Sequence, residues 1–209
     1  MVVVKKSSLT FLSHENDLYS HRTRIALAEK GVNAEVQYID LDNAPEDFLD
    51  INPYHTLPVL IDRGLVLNQS NIIMEYLDER FPHPPLLPVY PVARAKTRTM
   101  IYRIELDFYS LVQQILSGED EEQARESLIA SIVKLAPAFK EMPFFLSPEF
   151  SLVDCTLSAM LWRLESLGVQ LPKSADPVSE YAERMFKRDA FKSSLSDVEI
   201  ELREEFYDI

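Results

Sequence analysis

Short apolar runs broken by polar turns fill the first part of the chain, and apolar residues at three- and four-residue steps fill the rest. Leu9 to Ser13 predicts a buried strand. Ser20 to Lys30, followed by Gly31, predicts a helix: Ser20 can cap it, Ile25, Ala28 and Val32 share a side, and Gly31 suits a left-handed exit. Val36, Tyr38 and Ile39 predict a second strand, and strand, helix, strand in that order makes a parallel pair. Asn43 to Asp50 predicts a short helix ending before Asn52-Pro53. Thr56 to Asp62 and Leu65 to Leu67 flank Arg63-Gly64 and read as an antiparallel hairpin. Leu57-Pro58, where a proline opens a strand, is a candidate cis bond. Gln69-Ser70-Asn71 begins a helix carrying Ile72, Ile73, Tyr76 and Leu77, which Pro82 stops.

Past Pro91 the pattern is helical throughout. Val92 to Leu116 carries Met100, Ile101, Ile104, Phe108, Leu111 and Ile115 and closes at Ser117-Gly118. Glu119 to Lys140 carries Leu128, Ile132, Leu135 and Phe139, with a bend at Pro137. Ser151-Leu-Val-Asp154 has the form of a reciprocal cap and opens an apolar helix with Leu157, Met160, Leu161 and Leu164. Pro177 to Arg188 and Ser196 to Phe206 supply two further amphipathic segments.

Between these halves, Phe81 to Pro91 holds five of the 13 prolines. Proline fixes φ, lacks an amide hydrogen and pushes the preceding residue out of the helical region, so no helix crosses this run. It predicts a stiff connector over 82–91, between a mixed domain over 1–81 and a helical domain over 92–209. Fully extended, roughly eleven residues would span on the order of 34 Å. Preset φ angles also suit such a strap to partner docking, although a plain rigid linker has the same composition.

Composition narrows the function classes. A net charge of −13 argues against a general nucleic-acid or anionic-membrane surface. One stretch departs from it: Arg80 to Ile104 contains no acidic residue yet holds Arg80, Arg94, Lys96, Arg98 and Arg103. That patch complements an acidic protein partner, or is a solvated helix face. A single cysteine, Cys155, excludes an internal disulfide, and the Val2 to Val4 run is too short for a signal peptide or membrane span, so a cytoplasmic location is expected. His14, His21 and His55 share no metal-ligand spacing, and no metal or cofactor is expected.

The element order, with Arg24-Ile-Ala-Leu-Ala-Glu-Lys-Gly31, Asn52-Pro53, Leu57-Pro58-Val59-Leu60, Gln69-Ser70-Asn71 and Ser151-Leu-Val-Asp154 in sequence, resembles the glutathione transferase fold: a thioredoxin-like α/β domain followed by an all-α domain. Within that superfamily the stretch from Ile72 to Arg94, including Phe81-Pro-His-Pro-Pro-Leu-Leu-Pro-Val-Tyr-Pro91, resembles the stringent starvation protein A family, as does Ser147 to Cys155. The resemblance implies a homodimer that associates with RNA polymerase, alone or with its sigma factor, and adjusts promoter use under stress, without transferase activity. It also implies that Pro82, His83 and Pro84 centre the partner-binding surface. Tyr90 and Arg94, on and just after the strap, are added to that set.

Residue chemistry agrees with an absent catalytic step. Activating glutathione by about two pKa units takes roughly 2.7 kcal/mol of selective thiolate stabilisation. Counting back from Arg24, the reactive position of serine- and cysteine-type transferases is Asp17, where a carboxylate about 5 Å from sulfur opposes the thiolate by roughly 3 kcal/mol. The tyrosine-type position falls near Ser13, with Tyr19 and Ser20 close by. Leu57, Pro58, Gln69 and Ser70 match the transferases' glutathione-binding positions, either as a vestigial site or as parts any thioredoxin-like domain needs. The competing functions are a glutathione-dependent enzyme and a stress-related scaffold with another client.

Overall fold

The computed structural model describes residues 9–203. The Val2 to Val4 run and the acidic end from Glu204 lie outside them. Four strands, β1 (Leu9–Ser13), β2 (Ala34–Tyr38), β3 (Val59–Asp62) and β4 (Leu65–Asn68), form one sheet in the order β2-β1-β3-β4. β1 and β2 are parallel, while β3 is antiparallel to both β1 and β4. The parallel pair follows from the intervening helix α1 (Leu18–Glu29), and the hairpin from Arg63-Gly64, both at positive φ.

Alternation along the strands gives the sheet two apolar faces. Leu12, Val59 and Ile61 pack with Ile39 and with Phe48 of α2 (Phe48–Ile51) on one side. Leu9, Phe11 and Leu60 pack with Leu27 of α1 and with Ile73 and Leu77 of α3 (Ser70–Arg80) on the other. Successive strand residues point to opposite faces, so both sides must be covered.

The helical part comprises α4 (Pro91–Ile104), a π-helical turn (Glu105–Tyr109), α5 (Ser110–Ser117), α6 (Glu121–Leu135), a 3₁₀ turn (Ala136–Lys140), α7 (Leu152–Arg163), α8 (Asp176–Phe186), α9 (Asp189–Ser194) and α10 (Asp197–Glu201). The long helix expected from Val92 to Leu116 is therefore interrupted by a π turn, and Gly118 ends it at φ 74°. α7 is buried along its whole length. Its N-terminus is capped as expected: Val153 N donates to Ser151 Oγ, and Ser151 N donates to Asp154 Oδ2 at 2.8 Å. Asp154 Oδ1 accepts further bonds from Phe145 N (2.9 Å) and the Tyr181 hydroxyl (2.7 Å). Burial pushes the Asp154 carboxyl up, against the lowering effect of these donors.

Two compact units emerge, and their limits differ from the expected ones. The first joins residues 9–84 to Ser193–Glu201; the second holds Pro85–Lys192 with 202–203. The seam therefore falls inside the proline run, between Pro84 and Pro85. The run is also not a uniformly extended strap: it bends repeatedly, Leu86 and Leu87 are buried, and the Leu86 carbonyl accepts from Leu152 N at 3.0 Å. Glu199, in the amphipathic segment expected from Ser196 to Phe206, is at 0% exposure in the first unit. Its carboxylate accepts from the buried Arg24 guanidinium and from Ser196 N, and a charge at that depth needs such partners.

Among the described residues, no helix is long and apolar enough to cross a membrane. None of their His, Cys, Asp and Glu side chains group so as to hold a metal ion.

Candidate functional site

Helix α1 organises the first unit, and its cap differs from the expected one. Asp17 is the N-cap, its Oδ2 accepting from Ser20 N at 2.7 Å, while Ser20 Oγ accepts from His14 N at 3.1 Å. Both side chains can cap; the amide of His14 claims the serine and leaves the helix end to the aspartate. Ser13 Oγ accepts from Arg24 Nη1 and donates to the His14 carbonyl at 2.9 Å. The carboxylate and hydroxyls at the transferase-type reactive positions are thus engaged in holding the β1–α1 turn.

The glutathione-type positions are also in the first unit. Leu57-Pro58 is cis. The loop before it is held by buried Asn52, whose Nδ2 donates to the Thr56 carbonyl at 2.6 Å and whose Oδ1 accepts from Tyr54 N. Gln69, exposed at φ 74° and ψ 106°, sits in a conformation unfavourable to a side chain, and it delivers Ser70 as the first residue of α3. Ser70 is buried, and its Oγ accepts from Arg22 Nε at 3.0 Å and from Arg22 Nη2. Arg22 in turn lies over the Tyr19 ring, 4.9 Å from its centroid. A buried guanidinium therefore occupies the hydroxyl that, by position, would meet a γ-glutamyl group.

Pro82, His83 and Pro84 are all exposed, and the His83-Pro84 bond is cis. Behind them lies an arrangement with no local sequence signal. Lys30, the residue closing α1, has a fully buried ammonium that donates to Asp78 Oδ1 of α3 at 2.7 Å and to the Pro84 carbonyl at 2.5 Å. One cation thus ties two helices to the backbone of the Pro-His-Pro segment. A shallow pocket of about 460 Å³ beside it is lined by Val32, Arg80, Phe81 and His83, among others. Tyr90 (78% exposed) and the half-buried Arg94 belong to the second unit, so the five expected partner-binding residues are divided between the two units.

Sequence reasoning missed Lys30, Asp78, Arg22, Arg24 and Glu199. The available signal was α1 itself, in which Arg22, Arg24 and Lys30 are not segregated from Ile25, Ala26 and Leu27 as the polar face of a surface helix would be. Trp162 lies in the core of the second unit, edge-on to Phe186, and Cys155 is fully buried.

Residues 18–80 match the glutathione S-transferase N-terminal domain. A stringent starvation protein A homolog from Coxiella burnetii is 48% identical over 97% of this chain and 98% of its own, and one from Pasteurella multocida is 49% identical over 91% and 92%. A rice glutathione S-transferase solved in complex with glutathione superposes with a TM-score of 0.84 at 25% identity, covering 98% of this chain and 96% of the enzyme. Identity near one half along almost the whole length, on a sheet and helical unit of this topology, places the chain in the stringent starvation protein A family, built on the glutathione S-transferase fold.

Proposed function

We propose that the protein is a transcription regulator of the starvation response, acting by contact with RNA polymerase, alone or with its sigma factor, through a surface centred on Pro82, His83 and Pro84. The observation that carries this reading is a solvent-facing imidazole between two prolines, on a segment whose backbone is gripped from behind by a buried lysine. Fixed φ angles and a fixed carbonyl reduce the order lost when a partner docks. Tyr90 and Arg94, in the second unit, are assigned to partner contact as well. Homodimerisation fits the apolar side chains each unit leaves exposed: Leu65, Val66 and Ile72 in the first, Tyr102, Leu106 and Leu116 in the second. The regulator works on promoters through the polymerase and does not grip DNA itself, in keeping with its net charge of −13.

The same reading makes the protein no enzyme. Asp17 and Ser13 have structural bonds, and Ser70 already accepts from Arg22, so Leu57, Pro58, Gln69 and Ser70 form the remnant of a glutathione site. Replacing Pro82, His83 and Pro84 together by alanine is expected to leave the thermal transition in place and abolish co-purification with polymerase from a lysate. Retained co-purification refutes the assignment. Conjugation of glutathione to chlorodinitrobenzene above the uncatalysed rate would favour the transferase alternative.

A further inference from the structure

A groove of about 810 Å³ in the second unit runs along α4, facing the Phe144–Ser147 turn. Its α4 wall presents Val92, Lys96, Met100 and Arg103, four, four and three residues apart, and such steps keep all four on one side of a helix. Apolar and cationic positions alternate along it. Phe145 and Leu146 line the opposite wall, Phe145 buried and Leu146 44% exposed. Lys96 and Arg103 are exposed and make no ion pair with any described residue, and no acidic residue lines the groove.

Leu146 adds a second observation. It sits at φ 53°, in the left-handed region that disfavours side chains, within a turn closed by Phe144 N to the Ser147 carbonyl and Ser147 N to the Phe144 carbonyl. Glycine would fit there without strain, so the leucine is held exposed at a conformational cost, a pattern that points to use of the side chain.

The spacing of the two cations selects the occupant. Seven residues of helix separate Lys96 and Arg103 by about 10.5 Å along α4. A partner helix lying along α4 repeats its own face at that same distance. An extended strand presents same-face residues at about 6.6 or 13 Å and misses it. We infer that this groove docks an acidic amphipathic helix of a partner protein, with carboxylates seven residues apart on Lys96 and Arg103 and aliphatic side chains between them in the trough walled by Met100, Phe145 and Leu146. The chain is acidic overall, so this basic-apolar trough is a local match for an acidic segment that the rest of the surface repels. Pro88 of the proline run lines the groove, but Pro82, His83 and Pro84 do not, so the site can be tested apart from the Pro-His-Pro segment.

The test is fluorescence anisotropy with a labelled alanine-based helical peptide of about four turns, bearing two Glu residues seven apart and Leu at the intervening same-face positions. Binding to the full chain is expected with a Kd on the order of 10 μM at low salt. Lys96→Glu with Arg103→Glu should weaken it at least about tenfold, and a peptide carrying Lys in place of Glu should bind the reversed variant and not the parent. Leu146→Gly, which the turn accepts, should weaken binding severalfold, while the triple alanine variant of the strap should leave it unchanged. Equal binding of a peptide whose Glu residues lie on different faces, equal binding of a proline-interrupted extended peptide, indifference to the double charge reversal, or no binding at all would each overturn the inference.

Discussion

Replacing Lys30 by methionine separates two roles of one ammonium. The substitution keeps an unbranched side chain one atom shorter but leaves the Asp78 carboxylate, 8% exposed, without the cation 2.7 Å away, and removes the donor to the Pro84 carbonyl. Breaking one side of a buried ion pair costs about 3–5 kcal/mol, because the remaining charge is stranded. At about 4 °C or more per kcal/mol for a unit this size, the thermal midpoint should fall by more than about 10 °C. Adding Asp78→Leu removes the stranded charge, and apolar replacement of a whole buried pair is neutral or stabilising. The double variant should therefore recover most of the stability while the strap stays untied. Urea unfolding followed by circular dichroism measures the first effect. Hydrogen exchange at the His83 amide measures the second, and exchange there should be faster in the single and the double variant alike. Recovery of stability together with parental exchange at His83 would refute the claim that Lys30 positions the strap; no recovery would refute the stranded-charge account.

Other outcomes follow from the same geometry. Arg24→Met removes the guanidinium from Glu199 at zero exposure, leaving it Ser196 N and the His21 ring, and should lower stability by about 3 kcal/mol, while limited proteolysis should begin to cut within 193–201; an unchanged digest would contradict the Arg24–Glu199 contact. Asp154→Ala removes an acceptor shared by Phe145 N, Ser151 N and the Tyr181 hydroxyl, and should destabilise the helical unit by about 2–4 kcal/mol, read from the urea midpoint of Trp162 fluorescence. Burial, then the Asp154 charge, hold the Tyr181 proton well above the ordinary tyrosine range. The unfolded chain gives up that proton first, so this contribution to stability is intact at neutral pH and is lost as pH climbs past the ordinary tyrosine value. An ultraviolet titration should show this phenol ionising only with unfolding. Asp17→Ser preserves a capping acceptor, should cost under about 1 kcal/mol, and should leave glutathione conjugation at the uncatalysed rate, because Arg22 still holds Ser70.

What the chain discloses by reading is what depends on neighbours in sequence. The hairpin around Arg63-Gly64 and the cap formed by Ser151 and Asp154 involve residues a few positions apart, so residue type and spacing were enough. The α1 cap shows the limit even of local reasoning: Asp17 and Ser20 are equivalent candidates until the amide of His14 takes one of them. Arg24 and Glu199 lie 175 positions apart, and nothing around either residue announces the other. The same holds for Lys30 and Asp78, 48 positions apart, so exposure of the strap could be expected from its prolines, whereas its anchor could not. The groove on α4 was half visible, as a basic stretch without acids, but its apolar wall comes from a turn more than forty residues on.

The return of Ser193–Glu201 to the first unit makes completion of that unit a late event during synthesis. The ribosome must add all of Pro85–Lys192 before Glu199 can neutralise Arg24, so a nascent thioredoxin-like half waits with a guanidinium bonded to Ser13 and His14 but lacking its counter-ion. A message cut short before that codon would yield a product marked by the defect, an unstable half that proteases remove before it can compete for a partner.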